Sequence, residues 1–237
     1  MKRVLILGAS GEIGPVIVPE LETHYDLRLA DIAAYPDGRA IQTIDITNYE
    51  QVCDAARDMD AIVNLTVVRQ DRDSGFAVNV AGAWNMMRAA AEQGIKKVIQ
   101  TGPQCLRYYY DHEFGIADVP NAPGTHLYSL TKSLSYEICR IFARRHGIQT
   151  ICFHFNGVRP RPDGPQRGVD YPPMTIVHDD LVHACRLALE IESVPDAYQE
   201  FIMLSYEGQG KYSLDKARRI LGFEPLERWE DYYKWSG

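Results

Sequence analysis

The sequence predicts an α/β fold, a doubly wound parallel sheet with helices on both faces. Two observations carry this. Short β-like runs at residues 4–7, 27–30, 40–44, 61–65, 97–101 and 150–155 alternate with segments of helical pattern. Alternation of that kind produces βαβ units, because joining parallel strands needs a crossover and a helix supplies it. The second observation is Gly8-Ala9-Ser10-Gly11-Glu12-Ile13-Gly14, which follows Val4-Leu5-Ile6-Leu7 and leads into Pro15-Val16-Ile17-Val18. A strand there turns through glycines into a helix, as in a Rossmann-type sheet.

The glycine turn is a place to hold a pyrophosphate. Glycines allow a tight turn and close backbone approach, and the N–H groups at the head of the next helix favour an anion. Gly8, Ser10, Gly11, Glu12, Ile13 and Gly14 are the candidate contacts, spaced GxxGxxG rather than GxGxxG. The second run, Asp26-Leu27-Arg28-Leu29-Ala30, ends at Asp31. A carboxylate there accepts hydrogen bonds from ribose hydroxyls and repels a 2′-phosphate, so NAD is favoured over NADP. Arg28 and Arg39 are the nearby cations that argue the other way.

Asp45-Ile46 follows the third run. The pair would bracket an adenine, or the aspartate would cap the helix that starts at Tyr49. Leu65-Thr66 ends the fourth run, beside the expected path of the nicotinamide ribose. Asn79 reads more as a tie between its helix and neighbouring backbone than as a catalytic group. Tyr128 and Lys132, in Tyr128-Ser129-Leu130-Thr131-Lys132, open the helix after the fifth run. Four-residue spacing puts both on one helix face. A nearby ammonium favours the phenolate, so Tyr128 would exchange a proton with a substrate hydroxyl or carbonyl.

Composition bounds the remainder. The chain has 237 residues, 46% of them apolar, which is ample for a packed core, and a net charge of −7, which argues against nucleic acid and anionic membrane surfaces as partners. The first apolar run is four residues long, too short for a signal-peptide core, and no stretch approaches a membrane span. Five cysteines, never in a CxxC pair, suggest neither a disulfide framework nor a zinc site. A cytoplasmic protein without a metal is expected. The proline-rich stretch Arg159-Pro160-Arg161-Pro162-Asp163-Gly164-Pro165 divides residues 1–158, the NAD-binding domain, from residues 159–237, a small substrate-binding lobe.

Taken in order, Gly8 to Gly14, Asp31, Asp45-Ile46, Asn79-Val80-Ala81-Gly82, Tyr128 to Lys132, Asn156 and His178-Asp179-Asp180 resemble the extended short-chain dehydrogenase/reductases, the NAD-dependent epimerase/dehydratase group. Arg107-Tyr108-Tyr109-Tyr110, Asp118-Val119-Pro120 and Leu221-Gly222-Phe223-Glu224-Pro225 look most like the uronate dehydrogenases within it. The resemblance implies that Lys132 also holds the nicotinamide ribose, and that helices at about 76–93 and 127–145 form a homodimer bundle. It also exposes two departures. Where the family carries a serine or threonine after the fifth strand, this chain has Pro103, so Thr101 or Gln104 would have to polarise the reacting oxygen. Asp170 stands near where those enzymes place a carboxylate-binding arginine; Arg167, Arg159 or Arg161 would have to substitute.

The expected function is an NAD-dependent oxidoreductase acting on a small sugar-like substrate, with Tyr128, Lys132 and Thr101 catalytic and Gln104 and Asn156 on the substrate. A sugar epimerase that retains its NAD, or a catalytically silent NAD-binding protein, is the alternative. A dehydratase is disfavoured because no Asp-Glu pair stands at Pro103-Gln104. His154 and Asn156 read equally well as a satisfied buried pair, and His178-Asp179-Asp180 as an aspartate-capped helix start rather than a metal site. The aromatic tail Trp229, Tyr232, Tyr233 and Trp235 reads as lobe packing or a subunit contact.

Overall fold

The computed structural model describes residues 1–103, 124–164, 166–167, 175–207, 212–227 and 233–234. Its elements in chain order are β1 (Arg3–Leu7), α1 (Gly14–Leu21), β2 (Asp26–Asp31), β3 (Gln42–Thr43), α2 (Tyr49–Ala56), β4 (Ala61–Asn64) and α3 (Arg72–Gly75). A π-helical segment, Phe76–Ala81, carries α3 into α4 (Gly82–Glu92). There follow β5 (Lys97–Gly102), α5 (Leu127–His146), β6 (Gln149–His154), β7 (Gly157–Arg159), β8 (Gln166–Arg167), β9 (Thr175–Val177), α6 (His178–Glu190), β10 (Tyr198–Ile202), α7 (Asp215–Leu221) and β11 (Tyr233–Lys234).

Seven strands form one sheet in the order β10-β6-β5-β4-β1-β2-β3, every pair parallel. The central strands are buried on both faces because helices cover both sides of the sheet. Val4 to Leu7 on β1 and all of β4 and β5 are buried. Alternate side chains along each strand feed two cores. One lies under α1, α6 and α7, the other under α2, α4 and α5. All six strand positions expected from the sequence are present, although the third shrinks to Gln42–Thr43 at the exposed edge. The seventh strand, β10, falls in a stretch the sequence reading did not assign.

The segment after residue 159 adds a strand to the main sheet and contributes to a second, two-stranded pair. β10 pairs with β6, and α6 packs on the α1 face, while β7 and β9 form a separate two-stranded pair beyond the end of β6. No aspartate caps α6. Its N-cap is Val177 without a side-chain bond, and Asp180 is buried, accepting from the Leu226 N–H at 2.7 Å. That tie fixes the chain after α7 onto the head of α6. Likewise Asn48, not Asp45, caps α2, accepting from the Gln51 N–H at 3.2 Å.

Candidate active site

Ligands on such sheets lie beyond the carboxyl ends of the strands, where the order reverses between β1 and β4. Two adjoining cavities open there, of about 310 and 410 Å³, sharing Glu12, Ile13, Leu65, Val67 and Arg69 along their common wall. The smaller contains Gly8, Gly11, Asp31, Ile32, Asp45, Ile46 and Thr66; the larger contains Tyr128, Ser129, Lys132, Thr101, Pro103 and Asn156.

Two glycines of the turn at the smaller cavity, Gly8 and Gly14, leave no room for a side chain. Gly8 has φ +78°, and a Cβ there would stand 2.8 Å from the Thr66 backbone N. At Gly14 a Cβ would sit 1.8 Å from the Ala9 carbonyl oxygen, so glycine is what lets α1 start against the loop. Gly14 is buried and Ser10 turns away from the cavity. The Ser10 N–H donates to Asp31 Oδ2 at 2.9 Å and its hydroxyl to the Ala33 carbonyl at 2.9 Å. Asp31 also accepts from the Ala33 N–H at 3.0 Å. Its carboxylate therefore braces the glycine loop as well as facing the cavity.

Arg28 and Arg39 are drawn elsewhere. Arg28 donates to the Ala55 and Arg57 carbonyls, and Arg39 pairs with Glu22 and Asp37. Neither guanidinium lines the cavity beside Asp31. Ile32, 72% exposed, offers an apolar wall. Opposite it, Asp45 accepts from the Thr47 N–H and hydroxyl, at 2.9 and 2.8 Å, and Ile46 is buried. A carboxylate beside glycines, an apolar slot and a helix head fit the ribose, adenine and pyrophosphate of a dinucleotide.

In the larger cavity Lys132 is almost wholly buried, its ammonium donating to the Thr66 carbonyl at 2.9 Å and the Thr101 carbonyl at 3.1 Å. It ties the ends of β4 and β5 to α5. Thr101 is buried and donates its hydroxyl to the Asn64 carbonyl at 3.1 Å. Asn64 in turn donates to Gln100 at 2.8 Å, across the register that pairs them, and accepts the Thr66 hydroxyl at 2.7 Å. Tyr136 underlies the end of β5. A Cβ on Gly102 would stand 2.1 Å from its hydroxyl, which donates to the Pro103 carbonyl at 3.2 Å. Gln104 and Asp170 lie outside the described residues, as do Trp229, Tyr232 and Trp235.

His154 and Asn156 are not a buried pair. Asn156 is exposed at the cavity rim, whereas His154 is buried, 4.5 Å from the Tyr136 ring, with its Nε2 2.9 Å from a Glu200 carboxylate oxygen. Burial would raise the Glu200 carboxyl, but the His154 ring and the Tyr198 hydroxyl hold it down at about 2. β10 thus supplies the partner for a β6 side chain beneath the site.

Asn79 is the clamp of the cavity wall. It accepts from the Val68 N–H at 3.0 Å, donates to the Val68 carbonyl at 2.7 Å, and donates to the Thr131 hydroxyl at 2.9 Å. The π-helical turn brings its amide to the loop after β4, as single π-turns do at functional sites. That loop carries Arg69, which the sequence reading missed. Its guanidinium lies 5.9 Å from the centre of the Tyr128 ring and 3.3 Å from Glu12. Partial desolvation disfavours the charged guanidinium, yet Tyr128 and Glu12 beside it hold its pKa above the usual arginine value. Among the described residues no group of three or more His, Cys, Asp or Glu is placed to hold a metal, and no helix is long and apolar enough to cross a membrane.

Comparison with known proteins agrees with this geometry. The NAD dependent epimerase/dehydratase family matches residues 4–169. The chain is 28% identical over 168 residues to the uronate dehydrogenase of Pseudomonas syringae pv. tomato, covering 68% of this chain and 61% of that protein, so the match spans less than two thirds of that relative. It is 22% identical over 249 residues to the NAD-dependent glucose-6-phosphate dehydrogenase of Haloferax volcanii, covering 94% and 93% of the two. A solved structure of a mutated uronate dehydrogenase superposes with a TM-score of 0.80 at 25% identity, over 97% of this chain and 83% of that one.

Proposed function

The chain belongs to the NAD dependent epimerase/dehydratase family, and we propose that it is an NAD-dependent oxidoreductase acting on a hydroxyl or carbonyl of a small sugar-like molecule. The observation that carries the reading is the shared wall of the two cavities, which joins the Asp31 slot to the Tyr128 pocket. Bound NAD supplies the acceptor or donor of hydride. Gly8, Gly11, Glu12 and Ile13 would face its pyrophosphate, Asp31 its adenosine ribose, and Ile46 with Ile32 its adenine. Leu65 and Thr66 stand where the nicotinamide ribose would pass.

Tyr128 is the acid/base in this reading. As a phenolate it takes the substrate hydroxyl proton while the carbon loses hydride; in reverse it returns that proton to the carbonyl oxygen. Asn156, at the rim, would orient the substrate, and Gln104 would donate to it. Thr101 is the candidate to polarise the reacting oxygen, but that requires its hydroxyl to leave the Asn64 carbonyl. Lys132 holds the ends of β4 and β5 and would also hold the nicotinamide ribose. The region after residue 159 would cover the substrate. The same reading places the protein in the cytoplasm and makes it a homodimer. Phe76 on the π-helical segment, Trp84 on α4, and Leu134 and Ile141 on α5 are 38–54% exposed apolar side chains that a second copy would bury.

The test mixes purified protein with NAD or NADP and a panel of aldoses, uronic acids and polyols, read at the reduced-nicotinamide absorbance band, with Tyr128→Phe as control. Turnover with NAD that the variant loses supports the reading. Binding of NAD without turnover favours the second reading, a silent NAD-binding protein or an epimerase that keeps its NAD. Pro103, buried where the family carries a hydroxyl, is the observation behind it.

A further inference from the structure

Tyr128 needs a positive charge beside it to ionise near neutral pH, because an unperturbed phenol titrates near 10. The charged and titratable side chains lining its cavity among the described residues are Glu12 from the glycine loop, Arg69 from the loop after β4, and Lys132 from its own helix. Lys132 sits one turn further along α5 and directs ammonium hydrogens to the Thr66 and Thr101 carbonyls. Arg69 instead stands over Tyr128, its guanidinium carbon 5.9 Å from the ring centre. Asn79 holds the loop that carries it through both backbone groups of Val68. The partner on its other side is Glu12 at 3.3 Å, an exposed pair that is easily exchanged.

We propose that Arg69 is a positioning residue for proton transfer, its guanidinium stabilising the Tyr128 phenolate, with Glu12 as the counter-charge that moderates it. The inference rests on Tyr128 being the acid/base group. It gives the pocket that also holds Lys132 a second cation, beside the Tyr128 ring. A planar guanidinium suits this place, since it can stack on the ring and point hydrogens at an oxygen beyond it.

The experiment is an ultraviolet titration of tyrosinate absorbance, taken as the difference between each protein and the same protein carrying Tyr128→Phe, which isolates one of fourteen tyrosines. An opposite charge at this range moves a pKa by about 1–3 units. Arg69→Met should therefore raise the Tyr128 midpoint by about one unit or more, Arg69→Lys should restore most of it, and Glu12→Gln should lower it. Circular dichroism checks that each variant is folded. A Tyr128 midpoint unmoved in folded Arg69→Met, or moved equally in Arg69→Lys, overturns the proposal. The titration needs neither NAD nor substrate, so lack of turnover by the unaltered protein would count against the functional reading and leave this result legible. Where turnover is found, the rising limb of kcat/KM against pH should shift upward with the same midpoint in Arg69→Met.

Discussion

Replacing Asn79 by alanine tests whether the cavity wall is built by one buried amide. The side chain makes three hydrogen bonds, two to the backbone of Val68 at 3.0 and 2.7 Å and one to the Thr131 hydroxyl at 2.9 Å. Each such bond contributes about 1 kcal/mol net, and the penalty grows where the abandoned partner stays dry. Val68 is half-buried and Thr131 fully buried, though the Thr131 hydroxyl keeps its bond to the Leu127 carbonyl at 2.9 Å. The loss should therefore be about 3 kcal/mol. For a chain of this size each kcal/mol lowers Tm by about 2–4 °C, so Tm should fall by about 6–12 °C. Asn79→Asp should be at least as damaging, because a carboxylate would face the Val68 carbonyl without a donor. Calorimetry or a thermal melt followed by circular dichroism reads the result. A Tm for Asn79→Ala within about 2 °C of the unaltered protein would refute the reasoning that this amide carries the loop.

Three further outcomes follow from single contacts. Gly14→Ala places a Cβ 1.8 Å from the Ala9 carbonyl, which only a backbone shift relieves; a loss of about 3 kcal/mol or more in urea unfolding is expected, and an unchanged midpoint would contradict the packing described. Asp31→Ala removes the acceptor facing the ribose and unbraces the Ser10 and Ala33 N–H groups, so calorimetric NAD affinity should drop by about ten-fold or more while NADP loses less. Equal losses for the two would speak against Asp31 as the discriminating group. Lys97 has its pKa lowered to about 8 by burial, then by Lys2. The unfolded chain then holds the extra proton up to about 10.5, so stability should rise with pH between those values, by at most about 3 kcal/mol. Lys97→Met should flatten that rise in urea midpoints, and parallel curves for the two proteins would exclude Lys97 as its source.

Local chemistry made much of this protein legible in advance. A run such as Val4-Leu5-Ile6-Leu7 can be buried on both faces only inside a parallel sheet covered by helices, and glycines at residues 8 and 14 are required by a positive φ and a close approach. Spacing of four on one helix brought Tyr128 and Lys132 to one cavity. Partners far apart in sequence were decided by the tertiary structure alone. Asn48 rather than Asp45 caps α2, because cap geometry depends on where the chain turns. The edge strand β10 forms because β6 offers an unpaired edge and His154 a partner for Glu200. The approach of Arg69 to Tyr128 leaves no trace in composition or period; it exists because Asn79, through its bonds to Val68, draws the loop after β4 against the head of α5. Periodicity records which side of an element is buried, and only the packed fold records which charge meets which.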